Sequence, residues 1–364
     1  MLISLFQGLY PISGLSQTPA TITNRDDAVA IIQELRKIHT PEGIEVLEQV
    51  DLGGVPQWIS IRGRNRDNPV LLFIHGGPGD PMIGLSWAFQ NPWEDYFTVV
   101  QWDQRGSGKN AAASDREELK GTFTIEQLVG DAEELVCYLR EQLGKEKIVV
   151  MAYSMGGILG IHLANRRPEW LHAYVGVGQV SDDLIGALYK RTMEIAVERG
   201  NEEAISELEA LASHMDTATT PGEDPALWGI WKWANRFDGA WYGKSGWGLY
   251  ADLPVLSPEY TFEEAIEAWD ALLWLNNSSE YELDPRDLRA LGPSFQVPIL
   301  LFHGRFDLTP PIENAQAYLE FIEAPTKRLV TFERSAHVPF IEEPGRFFAA
   351  LLEHVLPLTQ GGSE

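Results

Sequence analysis

Short, unbroken apolar runs alternate with stretches whose apolar residues recur at helical spacing. Pro69-Val70-Leu71-Leu72-Phe73-Ile74, 96–102, 147–153, 173–178, 297–302 and 328–332 are such runs. Their length and β-type composition suit strands covered on both faces of a parallel sheet. Residues 44–51 and 56–62 are two further strand-like runs, with Gly53-Gly54 between them as a hairpin signal. Helical spacing predicts an amphipathic helix over 26–39, ended by Pro41, and helices over 124–143, 312–322 and 344–355. Thr124 and Gln127 stand at capping-box spacing ahead of the second of these. Strands that alternate with helices imply the α/β class: a mostly parallel central sheet with helices on both faces.

The alternation breaks after residue 180. From 181 to 290 the pattern is helical and acidic, and it holds seven of the chain's twelve tryptophans (228, 231, 233, 241, 247, 269 and 274). The chain therefore divides into an N-terminal extension with an amphipathic helix (1–42), a core (43–180 and 291–364) and an inserted, Trp-rich helical cap (181–290). The cap is expected over the carboxyl ends of the strands, where such sheets bind ligands.

Charge narrows the partners. The 28 Lys and Arg against 53 Asp and Glu leave a net charge of −25, which repels nucleic acid and anionic membranes. The single cysteine, Cys137, excludes an internal disulfide and reads as a buried small hydrophobe. No His/Cys/Asp cluster has metal-ligand spacing, so neither metal nor cofactor is expected. Met1 to Leu15 is apolar, but it lacks Lys or Arg before Arg25 and is interrupted by Gln7, Gly8 and Pro11. It makes a poor signal peptide and is too short to span a membrane. The expectation is a soluble, cytoplasmic protein, with secretion as the alternative; oligomeric state is not legible.

Candidate chemistry centres on Val149-Val150-Met151-Ala152-Tyr153-Ser154-Met155-Gly156-Gly157, where a strand run stops at a serine between small residues and a helical run begins at once. Such a turn strains the serine backbone and lifts its hydroxyl above the sheet, beside a helix N-terminus. A tight packing turn is the bland alternative. A serine nucleophile also needs a base, an acid that orients the base, and oxyanion donors. The loops after later strands supply Asp307 and then His337, in the order Ser…Asp…His. Separately, Asp307 could be a helix cap and His337 a surface residue; a coincidence of all three at strand ends favours catalysis. His303, His75 and His162 are the competing bases. His162 lies about 12 Å along the following helix, too far to serve. Oxyanion N–H groups are expected from Met155 and from His75-Gly76-Gly77-Pro78-Gly79, with Gly77 preferred. Gly76, Tyr153, Trp228 and Trp231 are the candidate substrate-binding positions, although tryptophans at helical spacing are more often core.

Three motifs, His75-Gly76-Gly77-Pro78-Gly79, Asp103-Gln104-Arg105-Gly106-Ser107-Gly108 and the elbow at Ser154, resemble the α/β-hydrolase superfamily, and within it the proline iminopeptidase-like serine peptidases. Gly304-Arg305-Phe306-Asp307 and Ala336-His337 resemble that group's acid and base loops. The resemblance implies an α/β-hydrolase fold, and makes Asp103 to Gly108 a structural turn lining the site. Two departures stand out. The elbow opens with Ala152 instead of glycine. In the cap, Trp228-Gly229-Ile230-Trp231-Lys232 has lysine where the group carries an amine-binding glutamate, and Leu308 follows the acid where a second glutamate is expected. A lysine there predicts repulsion of a substrate ammonium group. The expected function is therefore a serine hydrolase cleaving an ester, lactone or amide of a small, apolar or aromatic substrate through an acyl-enzyme. The alternatives are an aminopeptidase releasing N-terminal residues and a non-catalytic binding protein on the same scaffold. Substrates are small molecules or short peptides in either enzyme reading, and serine at the elbow argues against dehalogenase and epoxide-hydrolase chemistry.

Overall fold

The computed structural model describes residues 22–113, 115–181, 184–215, 224–244, 246–278 and 285–360; the apolar stretch from Met1 to Leu15 lies outside them. Eight strands form one sheet: β1 (Ile44–Leu52), β2 (Val55–Gly63), β3 (Val70–Ile74), β4 (Thr98–Trp102), β5 (Ile148–Tyr153), β6 (Leu171–Val177), β7 (Ile299–Gly304) and β8 (Lys327–Phe332). Their order is β1-β2-β4-β3-β5-β6-β7-β8. The β1–β2 hairpin pairs antiparallel and joins β4 antiparallel, and every pairing from β4 to β8 is parallel.

Alternate residues of the central strands serve two separate cores. Val70, Leu72, Ile74, Val150 and Ala152 face one, whereas Leu71, Phe73, Val149, Met151 and Tyr153 face the other. This is the period-two consequence of burying a sheet on both sides, and it explains why these strands read as continuous apolar runs. The helices before β6 are α1 (Arg25–Arg36), α2 (Asn110–Ala113), α3 (Arg116–Leu119), α4 (Ile125–Leu143) and α5 (Gly156–Arg166). Between β6 and β7 come α6 (Leu184–Glu198), α7 (Glu202–Leu211), α8 (Trp228–Arg236) and α9 (Phe262–Asn276). After β7 the chain forms α10 (Ile312–Phe321), α11 (Pro339–Glu342) and α12 (Pro344–Ala350). Among the described residues no helix is long and apolar enough to cross a membrane.

Several details depart from the sequence reading. The first helix ends at Arg36, because that side chain turns inward to an ion pair with Glu259 and the chain leaves extended at Lys37. At α4 the Thr124 side chain accepts from the Gln127 N–H, but the Gln127 side chain donates to Asp131, so the capping box is half made. Cys137 is half-buried on the flank of α4 with its thiol beside Glu141, not a core hydrophobe. The expected helical character also lapses at 237–244 and 246–261, where glycines and Pro254 leave loops and short 3₁₀ turns.

β3 sits between β4 and β5, so the chain crosses one way from β3 to β4 and returns past β3 to β5. The carboxyl ends of β3 and β5 thus flank a topological switch point, the place where open α/β sheets bind ligands. His75 follows β3 and Ser154 follows β5.

Candidate active site

The strand β5 ends at Tyr153 and α5 begins at Gly156, which leaves Ser154 and Met155 to make the turn. Its φ is 53°, a left-handed conformation that a serine adopts only under constraint. Hydrogen bonds hold it there: Ser154 N–H donates to Val177 O at 2.8 Å, and Gly157 N–H donates to Ser154 O at 2.9 Å. A Cβ at Gly156 would lie 2.3 Å from His75 O, and one at Gly76 would lie 2.7 Å from Ser154 Cβ. Both glycines are therefore required by the close approach of the β3 loop to the elbow.

The hydroxyl meets a histidine and a carboxylate in line. Ser154 Oγ is 2.9 Å from His337 Nε2, and His337 Nδ1 is 2.7 Å from Asp307 Oδ2. Asp307 Oδ1 accepts the Thr309 N–H at 2.7 Å, which fixes the carboxylate plane. Because a carboxylate only accepts, Nδ1 carries the proton and Nε2 is free to accept one from the serine. Ser154, Asp307 and His337 are all buried, at 8, 2 and 3% exposure. Such a chain can remove a proton from Ser154 as its oxygen attacks an acyl carbon. The Gly77 and Met155 N–H groups, from the β3 loop and the elbow, donate to no protein acceptor among the described residues.

The competing histidines have structural roles. His75 Nδ1–H donates to Gly76 O at 2.9 Å, and Nε2 accepts the Gln104 N–H at 3.1 Å. Burial pushes its pKa down to about 4. Since this folded value lies below the free value, the unfolded chain takes up the proton first. The stability from neutral His75 is thus complete above about pH 6.5 and is lost as pH falls toward 4, on the order of 3 kcal/mol. His75→Gln is expected to flatten the acid limb of an unfolding-free-energy profile measured by urea titration; parallel limbs would contradict this. His303 Nε2–H donates to Pro310 O at 3.0 Å, and burial again lowers its pKa. His162 lies on α5 beyond the elbow, where it interacts with Glu126.

The acid and base loops are fastened to each other and to the cap. Leu308 N–H donates to Gly239 O at 3.0 Å and His337 N–H donates to Ala240 O at 3.2 Å. Glu342 accepts the N–H groups of Ala336, Val338 and, from the cap, Tyr242. The two loops pass so closely that a Cβ at Gly304 would lie 1.9 Å from Ala336 O. Gly304→Ala must therefore separate them. The expected result is a loss of about 1–3 kcal/mol by urea unfolding, together with reduced activity.

The proposed substrate-binding residues fare differently. Gly76 packs on Ser154, and the Tyr153 ring lies 4.9 Å from the His337 ring. Trp228 and Trp231 instead pack on each other, 5.5 Å apart, and Trp228 donates to Asn277. Their interactions lie within the cap. The tryptophan that reaches the base is Trp247, 6.0 Å from His337 and edge-on to it. Trp247, Tyr250 and Asp80 were missed by the sequence reading. Asp80 could have been suspected from its place directly after the glycine motif, whereas the 237–261 loop carries no periodic signal. Lys232 does not present a bare charge: its ammonium is 2.5 Å from Glu207, which also accepts from Trp233. The expected repulsion of an amine is thereby offset locally.

Comparison with known proteins adds to this geometry. The profile of the Alpha/beta hydrolase family matches residues 71–351. The chain is 30% identical over 317 residues to "Probable aminopeptidase YbaC" of Bacillus subtilis (strain 168), covering 86% of this chain and 97% of that protein. It is 26% identical to a proline iminopeptidase of Neisseria meningitidis over 80% of this chain and 91% of the relative. Among solved structures, the proline iminopeptidase of Mycobacterium smegmatis aligns with a TM-score of 0.60 at 20% identity, covering 86% of this chain and 98% of its own. VinJ aligns with a TM-score of 0.59, also at 20% identity, over 86% and 99% of the two chains.

Proposed function

The chain belongs to the alpha/beta hydrolase family, and from that premise we propose that it is a serine hydrolase with Ser154, His337 and Asp307 as its catalytic residues. The observation that carries the assignment is the unbroken line Asp307–His337–Ser154 at 2.7 and 2.9 Å, set at the sheet's switch point. In the reading adopted here, Ser154 Oγ attacks the carbonyl carbon of an ester, lactone or amide while its proton passes to His337 Nε2. The resulting oxyanion takes hydrogen bonds from the Gly77 and Met155 N–H groups. On collapse, the bond to the leaving group breaks and His337 returns the proton to it. Water, activated by the same histidine, then releases the acyl group from Ser154. Asp307 stabilises the imidazolium formed in both steps. No metal or cofactor has a part in this sequence of steps.

Residues 43–180 and 291–364 act as the catalytic core in this reading, and 181–290 as the cap that selects a small-molecule or short-peptide substrate. The aromatic surroundings of His337, from Tyr153 and Trp247, favour an apolar or aromatic acyl group.

A second reading, aminopeptidase action, is favoured by the relatives named above and by the pairing of Lys232 with Glu207. One screen separates the two. Turnover is measured on p-nitrophenyl esters, lactones and aminoacyl arylamides, with and without N-acylation. Esters and lactones alone would mark an esterase. Arylamide turnover abolished by N-acylation would mark an aminopeptidase, and a protein inert to every substrate and to fluorophosphonates would overturn both.

A further inference from the structure

From Arg334 to Val338 the base loop lies outside every strand and helix, so its N–H groups need acceptors of other kinds. Arg334 N–H donates to Glu343 Oε2 at 2.8 Å, and Ser335 N–H donates to Phe332 O at 3.4 Å. His337 N–H goes to the cap, at Ala240 O. The N–H groups on either side of the base, those of Ala336 and Val338, both donate to Glu342 Oε2, at 2.9 and 3.2 Å. The other oxygen, Oε1, accepts the Tyr242 N–H of the cap at 2.6 Å. One carboxylate thus brackets the base along the chain and ties that bracket to the cap.

The cap segment it holds also meets the acid loop. Gly239 O accepts from Leu308, the residue after Asp307. The Tyr242 ring stacks on Phe306, the residue before Asp307, with the centroids 4.6 Å apart. Residues 239–242 therefore contact the acid loop and the base loop together.

Fastening a loop does not by itself call for a charge. Among the described residues no lysine or arginine pairs with Glu342, and Asp307 is close enough for the two carboxylates to repel. Burial raises the Glu342 pKa despite its three N–H donors. A partly buried carboxylate beside another is costly. What it offers is two accepting oxygens, where a glutamine has one oxygen and one NH₂ group.

We propose that Glu342 is a positioning residue for His337: its carboxylate fixes the main chain on both sides of the base and couples that position to the cap segment 239–242. The inference rests on the serine hydrolase reading and adds to it a group that acts only through the base. The cap then does more than select a substrate, because its seating also sets the base.

The test follows labelling of Ser154 by diisopropyl fluorophosphate at neutral pH as a function of reagent concentration. This separates the rate constant at saturation, kinact, from reagent binding, KI. In Glu342→Ala three donors lose their acceptor. A base misplaced by about 1 Å is expected to lower kinact by about 10²-fold, with KI within about threefold. Glu342→Gln is expected to be intermediate, with kinact lowered about tenfold. Two donors hold its carbonyl oxygen at the base loop, so its NH₂ group faces the Tyr242 N–H and only the tie to the cap is lost. A Glu342 with a purely structural role gives a different result: less folded protein by urea unfolding, with the folded fraction labelled at the unaltered rate. That result in Glu342→Ala, or in Glu342→Gln should the alanine variant not fold, would overturn the proposal. Labelling of folded Glu342→Gln at the unaltered rate would by itself overturn the tie to the cap. An unaltered protein that takes no adduct on Ser154 would instead defeat the hydrolase reading beneath it.

Discussion

Ser154→Ala is expected to lower kcat by on the order of 10⁵- to 10⁶-fold and to leave KM for the best substrate within about twofold. The substitution removes a single oxygen, the one 2.9 Å from His337 Nε2. Everything that shapes the elbow stays: the Ser154 N–H bond to Val177 O and the Gly157 bond to the residue 154 carbonyl are both main-chain. The left-handed turn costs an alanine about what it costs a serine, so stability should change by less than about 1 kcal/mol. An inactive variant with wild-type unfolding is the signature of a lost nucleophile. A variant that is both inactive and unfolded would indicate instead that the serine's role is structural. Steady-state kinetics and urea unfolding on the same preparation distinguish these results.

Asp307→Asn is expected to lower kcat by about 10⁴-fold, again with little effect on KM. The local hydrogen bonds make the direction of the effect unusually well determined. Thr309 N–H donates to Oδ1 at 2.7 Å, so an asparagine must keep its carbonyl oxygen at that position. Its amide NH₂ then faces His337 Nδ1, where it donates instead of accepting. The imidazole responds by moving its proton to Nε2, the nitrogen that must accept from Ser154. The geometry survives and the tautomer is wrong. Proton NMR of the imidazole region should show the Nδ1–H resonance of the unaltered protein lost in the variant. An asparagine variant with near-normal kcat would mean that Asp307 does not orient the base.

The strands were legible because each is buried on both faces, which forces a continuous apolar run with turn residues at its ends. The elbow was legible for a related reason. A strand-to-helix reversal within two residues tolerates only small neighbours, and Ala152 and Gly156 mark it. Asp307 and His337 followed from their places at the ends of β7 and β8. The cap was read less well. Its helices α6 to α9 show the expected spacing, but the residues that reach His337 belong to the irregular stretches 237–244 and 246–261, held by individual contacts such as Tyr242 N–H to Glu342 and Tyr250 to Asp80. Contacts of that kind join residues far apart in the chain and leave no periodic trace. Trp228 and Trp231 drew attention through a motif, yet Trp247 is the residue beside the base. The partner of Lys232 was invisible for the same reason, since Glu207 lies on another helix.

The central claim is that Ser154 is a nucleophile activated by His337. Its most direct test is peptide mapping by mass spectrometry after treatment with a fluorophosphonate at neutral pH. One covalent adduct is predicted on the peptide that contains Ser154, absent from Ser154→Ala and strongly slowed in His337→Ala. An adduct on another serine, or an unlabelled Ser154 in folded protein, would contradict it.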